Sequence, residues 1–160
     1  MRNLCGPAGD RTATANSENV STKNFNLADL WDWLEALLDH REEHRGEWYM
    51  LFATDERYVE LNITSDEVWA GAVTNYNLSK DQWLTEVETI KMGLHGFALE
   101  AIDTPEPKYV RRWDVSAPTS VIVSKLLQVF TSIYLARDAE LVEVVRGTFA
   151  EGSQSWDTLQ

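Results

Sequence analysis

The sequence predicts an α+β domain in which helices cover an antiparallel sheet of about five strands. Apolar residues that recur every three or four positions mark three helices, which begin near Asn26, Ser79 and Ser116. Between them, apolar runs and alternating segments mark strands in one group of three and one group of two. Because strands in runs pair as antiparallel neighbours, this grouping predicts the order α-β-β-β-α-β-β-α.

The first helix is predicted from an apolar stripe that follows a polar N-cap, Asn26, and stops at Gly46. The stripe consists of Leu27, Leu30, Trp31, Leu34, Leu37 and Leu38. A near-continuous apolar run over 48–53 and the alternation of Val59, Leu61 and Ile63 then indicate strands. Short polar breaks separate these strands and a third one around Trp69, so the simplest interpretation is an antiparallel meander.

Ser79 and Gln82 match a capping box and predict the start of the second helix. Its buried face is expected to carry four apolar residues, and Gly93 stands where a left-handed C-terminal residue is favoured. The four residues are Trp83, Val87, Ile90 and Leu94.

Two strands are predicted over 97–102 and 108–115, joined by a loop that contains two prolines. Ser116 is expected to cap a third helix that runs to Arg137, and one further short element is expected over 138–146. Apolar residues cover well over half the circumference of this third helix. Such a helix needs cover from more than one direction, and a homodimer would supply it.

Domain boundaries follow from composition. Residues 1–24 are polar and small, which predicts a flexible leader, 25–146 form one domain, and 147–160 have the composition of a frayed tail. Neither a secretory signal nor a membrane span is evident, and the single cysteine, Cys5, has no partner for an internal disulfide. A cytoplasmic protein is therefore expected.

The charge of the chain restricts its partners. With 14 lysines and arginines against 26 aspartates and glutamates, the net charge is −12. Such a field repels phosphate backbones and anionic lipids, so neither nucleic acid nor a membrane is an expected partner.

One segment matches a metalloprotease pattern. His40-Arg41-Glu42-Glu43-His44 has the H-x-x-E-H spacing of inverted zinc proteases, in which two histidines hold zinc and a glutamate activates water. The segment nevertheless ends a strongly charged helix and is followed by a strand, where no third ligand is expected. A zinc hydrolase using His40 and His44 is thus a remote alternative, and the sequence predicts no enzyme, metal or cofactor.

Aromatic and arginine residues give the positive signal for function. Tyr58, Glu60 and Asn62 alternate with apolar residues, so one face of the sheet is expected to be wet yet aromatic. A partner-binding site is predicted there, with arginines that pair with carboxylates or carbonyls of the partner. Its residues are Tyr58, Trp69, Arg111, Arg112 and Trp113. The equally weighted alternative is that helices cover Trp69 and Trp113.

The segment "RYVELNITSDEVWAGAVTNYNLSKDQWLTEVETIKMGL" resembles the type III secretion chaperones and the related YbjN-like proteins. It has a Tyr-Val strand, a strand that ends near an asparagine, a leucine, and a helix that ends near Gly93. The resemblance implies the order α-β-β-β-α-β-β-α and a non-catalytic, acidic, often dimeric protein that holds peptide segments.

The expected function is therefore a chaperone-like module that binds a protein or peptide segment, as a homodimer. The alternative is an inhibitory or immunity-type protein whose acidic surface masks a basic partner.

Overall fold

A computed structural model describes residues 21–101, 104–134 and 141–148 of the chain, and these form an antiparallel sheet with helices on one face. The predicted α+β class is confirmed, but the sheet has seven strands instead of five. The helices and strands, in chain order, are β1 (Ser21–Phe25), α1 (Leu27–Asp39), β2 (Glu47–Phe52), β3 (Tyr58–Ile63), β4 (Glu67–Val73), α2 (Glu86–Leu94), β5 (Ala98–Glu100), β6 (Lys108–Asp114), α3 (Thr119–Gln128) and β7 (Val142–Thr148).

The two strands missing from the predicted order, β1 and β7, lie at one side of the sheet. The strand order is β1-β7-β2-β3-β4-β6-β5, so β7 hydrogen-bonds to both β1 and β2. Residues 21–24, predicted as flexible leader, and residues 147–148, predicted as tail, are therefore strand residues. The polar side chains of β1 carry no strand signal, because β1 is specified by pairing with the apolar β7.

The start of α1 agrees with the prediction, and its end does not. Oδ1 of Asn26 accepts a hydrogen bond from the Asp29 N–H at 2.8 Å, as an N-cap should. The leucines of the predicted stripe are buried, whereas Trp31 is exposed. The helix ends at Asp39 and a 3₁₀ turn over Arg41–His44 follows, so Gly46, at φ +86°, belongs to the turn that enters β2.

Strand alternation divides the sheet into two faces. Val59, Leu61 and Ile63 point at the helices and are completely buried. Tyr58, Glu60 and Asn62 point the other way, as the alternation predicted. We call this opposite side the second face of the sheet.

The second helix differs from its prediction at both ends. Ser79 begins only a 3₁₀ turn over Lys80–Gln82, and the capping box is formed six residues later by Thr85 and Glu88. Gly93 lies inside α2, and the left-handed residue is Gly96, at φ +86°. Two stretches of this segment have the residues of a capping box, and in the folded chain only the second forms one.

The rest of the chain covers most apolar residues of the third helix, and Val121, 43% exposed, is the exception. Its N-cap position is Pro118, while the N–H of Ser116 binds the Asp114 carboxylate at 2.9 Å, so the predicted Ser116 cap is wrong. A π-helical turn over Val129–Ile133 continues α3, and α1, α2 and the sheet enclose both. The buried apolar residues of this segment are Ile122, Val123, Leu126, Leu127, Val129, Phe130, Ile133 and Tyr134. Burial of these residues within one chain removes one of the two reasons for which a dimer was expected, and the other, the family resemblance, stays a prediction.

No helix in the described part of the chain combines the length and hydropathy that crossing a membrane would require.

Candidate functional site

An apolar stripe on the outer side of α2 is the most exposed cluster of large apolar side chains on any described helix. Val87, Ile90 and Leu94 are 60%, 56% and 77% exposed. Their spacing of three and four residues places them on one side of the helix. These residues were predicted to be buried, and that prediction is wrong. We call Val87, Ile90 and Leu94 the α2 stripe.

The inner side of α2 is held by a polar anchor. The buried carboxylate of Glu88 accepts a hydrogen bond from the Thr85 N–H at 2.8 Å and lies 3.4 Å from Nη2 of Arg57. The Arg57 guanidinium also donates to the carbonyls of Gln82 and Trp83. Met92, one turn after Glu88, is completely buried. Because Glu88 and Met92 point inward, the α2 stripe points outward.

Further apolar groups flank the α2 stripe along the chain. Trp83 is 46% exposed, its indole N–H donates to the Leu78 carbonyl at 3.0 Å, and Nζ of Lys80 lies 5.7 Å from its ring centroid. Leu99 in the short edge strand β5 is also more than half exposed. Exposed apolar surface of this kind is typical of sites that bind another protein.

A cluster of cations surrounds the C-terminal end of α2. Arg111 donates to the His95 carbonyl at 2.7 Å, and Nζ of Lys91 donates to the Ser132 carbonyl at 3.2 Å. Burial lowers the pKa of His95, and the nearby charges of Lys125, Lys91 and Arg111 lower it further. We call Lys91, Arg111 and Lys125 the cation cluster.

The predicted partner-binding residues are separated by the sheet. Arg112 lies over Trp69 on the second face, with 5.6 Å from its guanidinium carbon to the ring centroid, and it pairs with Glu67 and Glu100. Arg111 and Trp113 lie on the helix side, where the guanidinium carbon is 5.2 Å from the ring centroid and Trp113 is buried. The alternative that helices cover both tryptophans thus applies to Trp113 alone.

Tyr58, the remaining predicted residue, is half-buried on the second face. Its ring contacts Phe52 with centroids 5.5 Å apart, and its backbone carbonyl accepts from the Tyr134 hydroxyl at 2.8 Å. Burial and the neighbouring Glu60 raise the pKa of its hydroxyl. The structure therefore does not bring the five predicted residues together into one site.

The second face has a polar centre. Glu60 and Asn62 are each 1% exposed, so the prediction of a wet face is wrong at these two residues, and Nδ2 of Asn62 donates to Oε2 of Glu60 at 3.2 Å. Nζ of Lys108 lies 3.2 Å from Oε1 of Glu60. The Lys108 stem and the Trp69 ring both pass close to Gly71, where a Cβ atom would meet them at 3.0 and 3.3 Å. These contacts make the centre a packed ion pair and leave it little room for a ligand.

The H-x-x-E-H segment has structural contacts. Arg41 donates to the carbonyls of Leu38, Val115 and Ala117 and so joins the end of α1 to the start of α3. His44 pairs through Nδ1 with Glu47 at 2.8 Å, and Nδ1 of His40 contacts the Ala36 carbonyl.

Glu47 holds several donors at once. It also accepts from the Tyr49 hydroxyl and pairs with Arg146 at 3.2 Å. Burial raises the pKa of Glu47, but the hydrogen bonds from Tyr49 and His44 and the charges of Arg146 and His44 together hold that pKa below its ordinary value. His40, His44, Tyr49 and Arg146 line a shallow cleft beside Trp33. Among the described residues, no three His, Cys, Asp or Glu side chains are arranged to hold a metal ion, and Cys5 lies outside these residues.

The sequence located neither the outward direction of the α2 stripe nor the cation cluster. The spacing of apolar residues reveals a stripe but does not show whether the stripe is buried or exposed. Arg57, which holds the opposite side of α2 inward, is distant in sequence. Lys91, Arg111 and Lys125 meet only through the fold.

Comparison of the chain with models of protein families, with curated proteins and with solved structures gave no match. The resemblance to type III secretion chaperones and YbjN-like proteins therefore stays a prediction from the quoted segment, and function has to be argued from the exposed surface.

Proposed function

We propose that this protein is a non-catalytic, chaperone-like module that binds a segment of a partner protein on the α2 stripe. The observation that carries the proposal is the exposure of Val87, Ile90 and Leu94, each more than half accessible along one helix face. Covering such side chains is favourable by about 1–2 kcal/mol each when burial is complete. An apolar segment of a partner is the natural cover, because the inner side of α2 is already packed.

The resemblance to chaperones that hold peptide segments supports the same function. The predicted residues Tyr58, Trp69 and Arg112 are a second candidate surface, but Arg112 already pairs with two carboxylates. The α2 stripe is the better candidate, because no described residue covers its three side chains.

Variants at two exposed apolar positions test the proposal. Ile90→Glu places a charge in the α2 stripe, whereas Trp31→Glu places the same charge on α1, where Trp31 is also exposed. Affinity capture from the native host, with mass spectrometry, should identify proteins retained by the wild type and Trp31→Glu but lost by Ile90→Glu. Binding of each such protein, purified, is then measured by calorimetry.

Equal retention by Ile90→Glu, with both variants folded by circular dichroism, would contradict the proposal. The net charge of −12 favours a second candidate, the masking of a basic partner. Salt separates the two functions: affinity that falls steeply between about 0.1 and 1 M salt indicates charge masking, since the Debye length shrinks from about 10 to 3 Å.

A further inference from the structure

The cation cluster is unexpected in so acidic a protein. The chain carries 26 acidic residues and a net charge of −12, yet within the described residues no carboxylate lies within ion-pair distance of Lys91, Arg111 or Lys125. Other described basic side chains, such as Arg57, Lys108, Arg112 and Arg146, do have carboxylate partners.

Part of the cluster has a structural role. Arg111 binds the His95 carbonyl at the end of α2, where a helix C-terminus favours positive charge. Lys91 binds the Ser132 carbonyl, which uses one of its three N–H donors. Lys125 forms no hydrogen bond or ion pair with another residue in the described part of the chain. The two lysines thus keep donors that are available to a ligand.

The cluster adjoins the α2 stripe. Lys91 stands between Ile90 and Leu94 in the sequence of α2. His95 directly follows Leu94, and the charges of all three cations lower its pKa. A ligand that covers Ile90 and Leu94 therefore comes close to Lys91 and Lys125. Exposed apolar area and positive charge that no described carboxylate pairs with therefore lie side by side.

We infer that the α2 stripe and the cation cluster form one surface, which binds an amphipathic segment of a partner with apolar residues on one side and carboxylates beside them. This inference rests on the proposed function and specifies the chemistry of the partner. Apolar side chains of the segment cover Val87, Ile90 and Leu94, while its carboxylates accept hydrogen bonds from Lys91 and Lys125.

A second copy of the chain fits this surface less well. A two-fold axis through the middle of the α2 stripe would place Val87 opposite Leu94 of the copy, and only residues near the axis, such as Ile90, would approach their own counterparts. Lys91 follows Ile90 in the sequence and would come near the Lys91 of the copy, and like charges brought together oppose association. The local charge therefore favours a different, acidic partner.

Two synthetic peptides test the inference. They share one leucine face of a helix and differ only at their charged positions, which are glutamate in one and lysine in the other. The net charge of −12 favours the lysine peptide, whereas the cation cluster favours the glutamate peptide. Fluorescence anisotropy at about 0.15 M salt should give tighter binding of the glutamate peptide by about tenfold, which corresponds to about 1.4 kcal/mol.

Charge-matched double variants identify the residues responsible. Lys91→Glu with Lys125→Glu should remove the preference for the glutamate peptide. Lys23→Glu with Arg45→Glu changes the net charge equally at two other exposed cations and should keep the preference. Thermal unfolding of both variants monitors folding.

The outcomes separate the two proposals. The inference about charge is overturned if the lysine peptide binds more tightly. It is also overturned if both peptides bind equally and Ile90→Glu abolishes this binding, although the α2 stripe then remains a binding surface. Binding of neither peptide, or binding that Ile90→Glu does not change, overturns the proposed function as well.

Discussion

Lys108 forms the ion pair at the centre of the second face of the sheet. Its side chain, 14% exposed, extends from β6 across Gly71 of β4 to reach Glu60 of β3, whose side chain is 1% exposed. A side chain at position 71 would obstruct this path. Removing one member of a buried ion pair leaves the other charge without compensation, which costs far more than the pair contributes.

We therefore expect Lys108→Met to lower the free energy of unfolding by about 3 kcal/mol, because Glu60 stays buried and unpaired. Adding Glu60→Gln to this variant should restore much of the loss. Arg112→Met is the control: the Arg112 side chain is 47% exposed, and such a pair contributes about 1 kcal/mol or less. Urea unfolding measures all three variants. Equal losses for Lys108→Met and Arg112→Met would contradict the assignment.

The H-x-x-E-H segment takes part in contacts that join secondary-structure elements. His44 binds Glu47, Arg41 binds three backbone carbonyls, and His40 contacts its own helix. Each residue of the pattern that forms a contact therefore stabilises the junction between α1, β2 and α3. Spacing alone does not distinguish this arrangement from a pair of metal ligands.

Among the secondary-structure elements, α2 has its own start, end and inner side. Thr85 and Glu88 cap its N-terminus, and Gly96 turns the chain into β5 with φ +86° beneath the Arg111 guanidinium. Glu88 is buried because Arg57 from the β2–β3 hairpin pairs with it. Which side of α2 faces inward therefore depends on the contact between Arg57 and Glu88, which belong to distant elements.

Two glycines at the end of α2 should respond oppositely to alanine. Gly93 lies inside the helix, and a Cβ atom added there would have no neighbouring atom within 4 Å, so Gly93→Ala should raise the free energy of unfolding by about 0.5–1 kcal/mol. Gly96→Ala should lower it by about 1–2 kcal/mol, since an L-residue is strained at this φ and its Cβ would collide with Arg111.

Denaturant unfolding of the two variants decides between the two assignments of the left-handed residue. If Gly93→Ala destabilised the protein and Gly96→Ala did not, the left-handed residue would be Gly93, as the sequence alone predicted.

In the molecule as a whole, α2 carries most of the exposed apolar side chains of the described helices, whereas the sequence predicted them on α3. The sheet, α1 and α2 bury the apolar residues of the α3 segment and its π-helical turn except Val121, so α3 needs little further cover. The exposed apolar residues that remain on the described helices are mostly those of the α2 stripe. Any association of this protein should therefore depend on α2 and not on α3.

The free protein should have a mass near its chain mass of 18.3 kDa in light scattering at micromolar concentration. The physical reason is that an α2–α2 contact brings Lys91 near its counterpart. A mass that rises toward twice this value with concentration, and that Ile90→Glu returns to 18.3 kDa, would instead assign the α2 stripe to the homodimer that the sequence predicted.

Features that depend on neighbouring residues could be predicted from the sequence. The α+β class, the Asn26 cap, the leucine stripe of α1 and the alternation of β3 all follow from residues within one turn or one strand of each other. Strand alternation also places Arg112 opposite to Arg111 and Trp113, but the predicted site took all five residues together and did not use this rule.

Features that depend on residues distant in sequence became visible only in the folded chain. Strand β1 exists because β7 pairs with it, α2 turns its apolar side outward because Arg57 binds Glu88, and Lys91, Arg111 and Lys125 meet where α2, β6 and α3 come together. The physical reason is common to all three cases. Strand pairing, side-chain burial and the charges around a residue all depend on residues far away in the sequence, and no local sequence pattern identifies those residues.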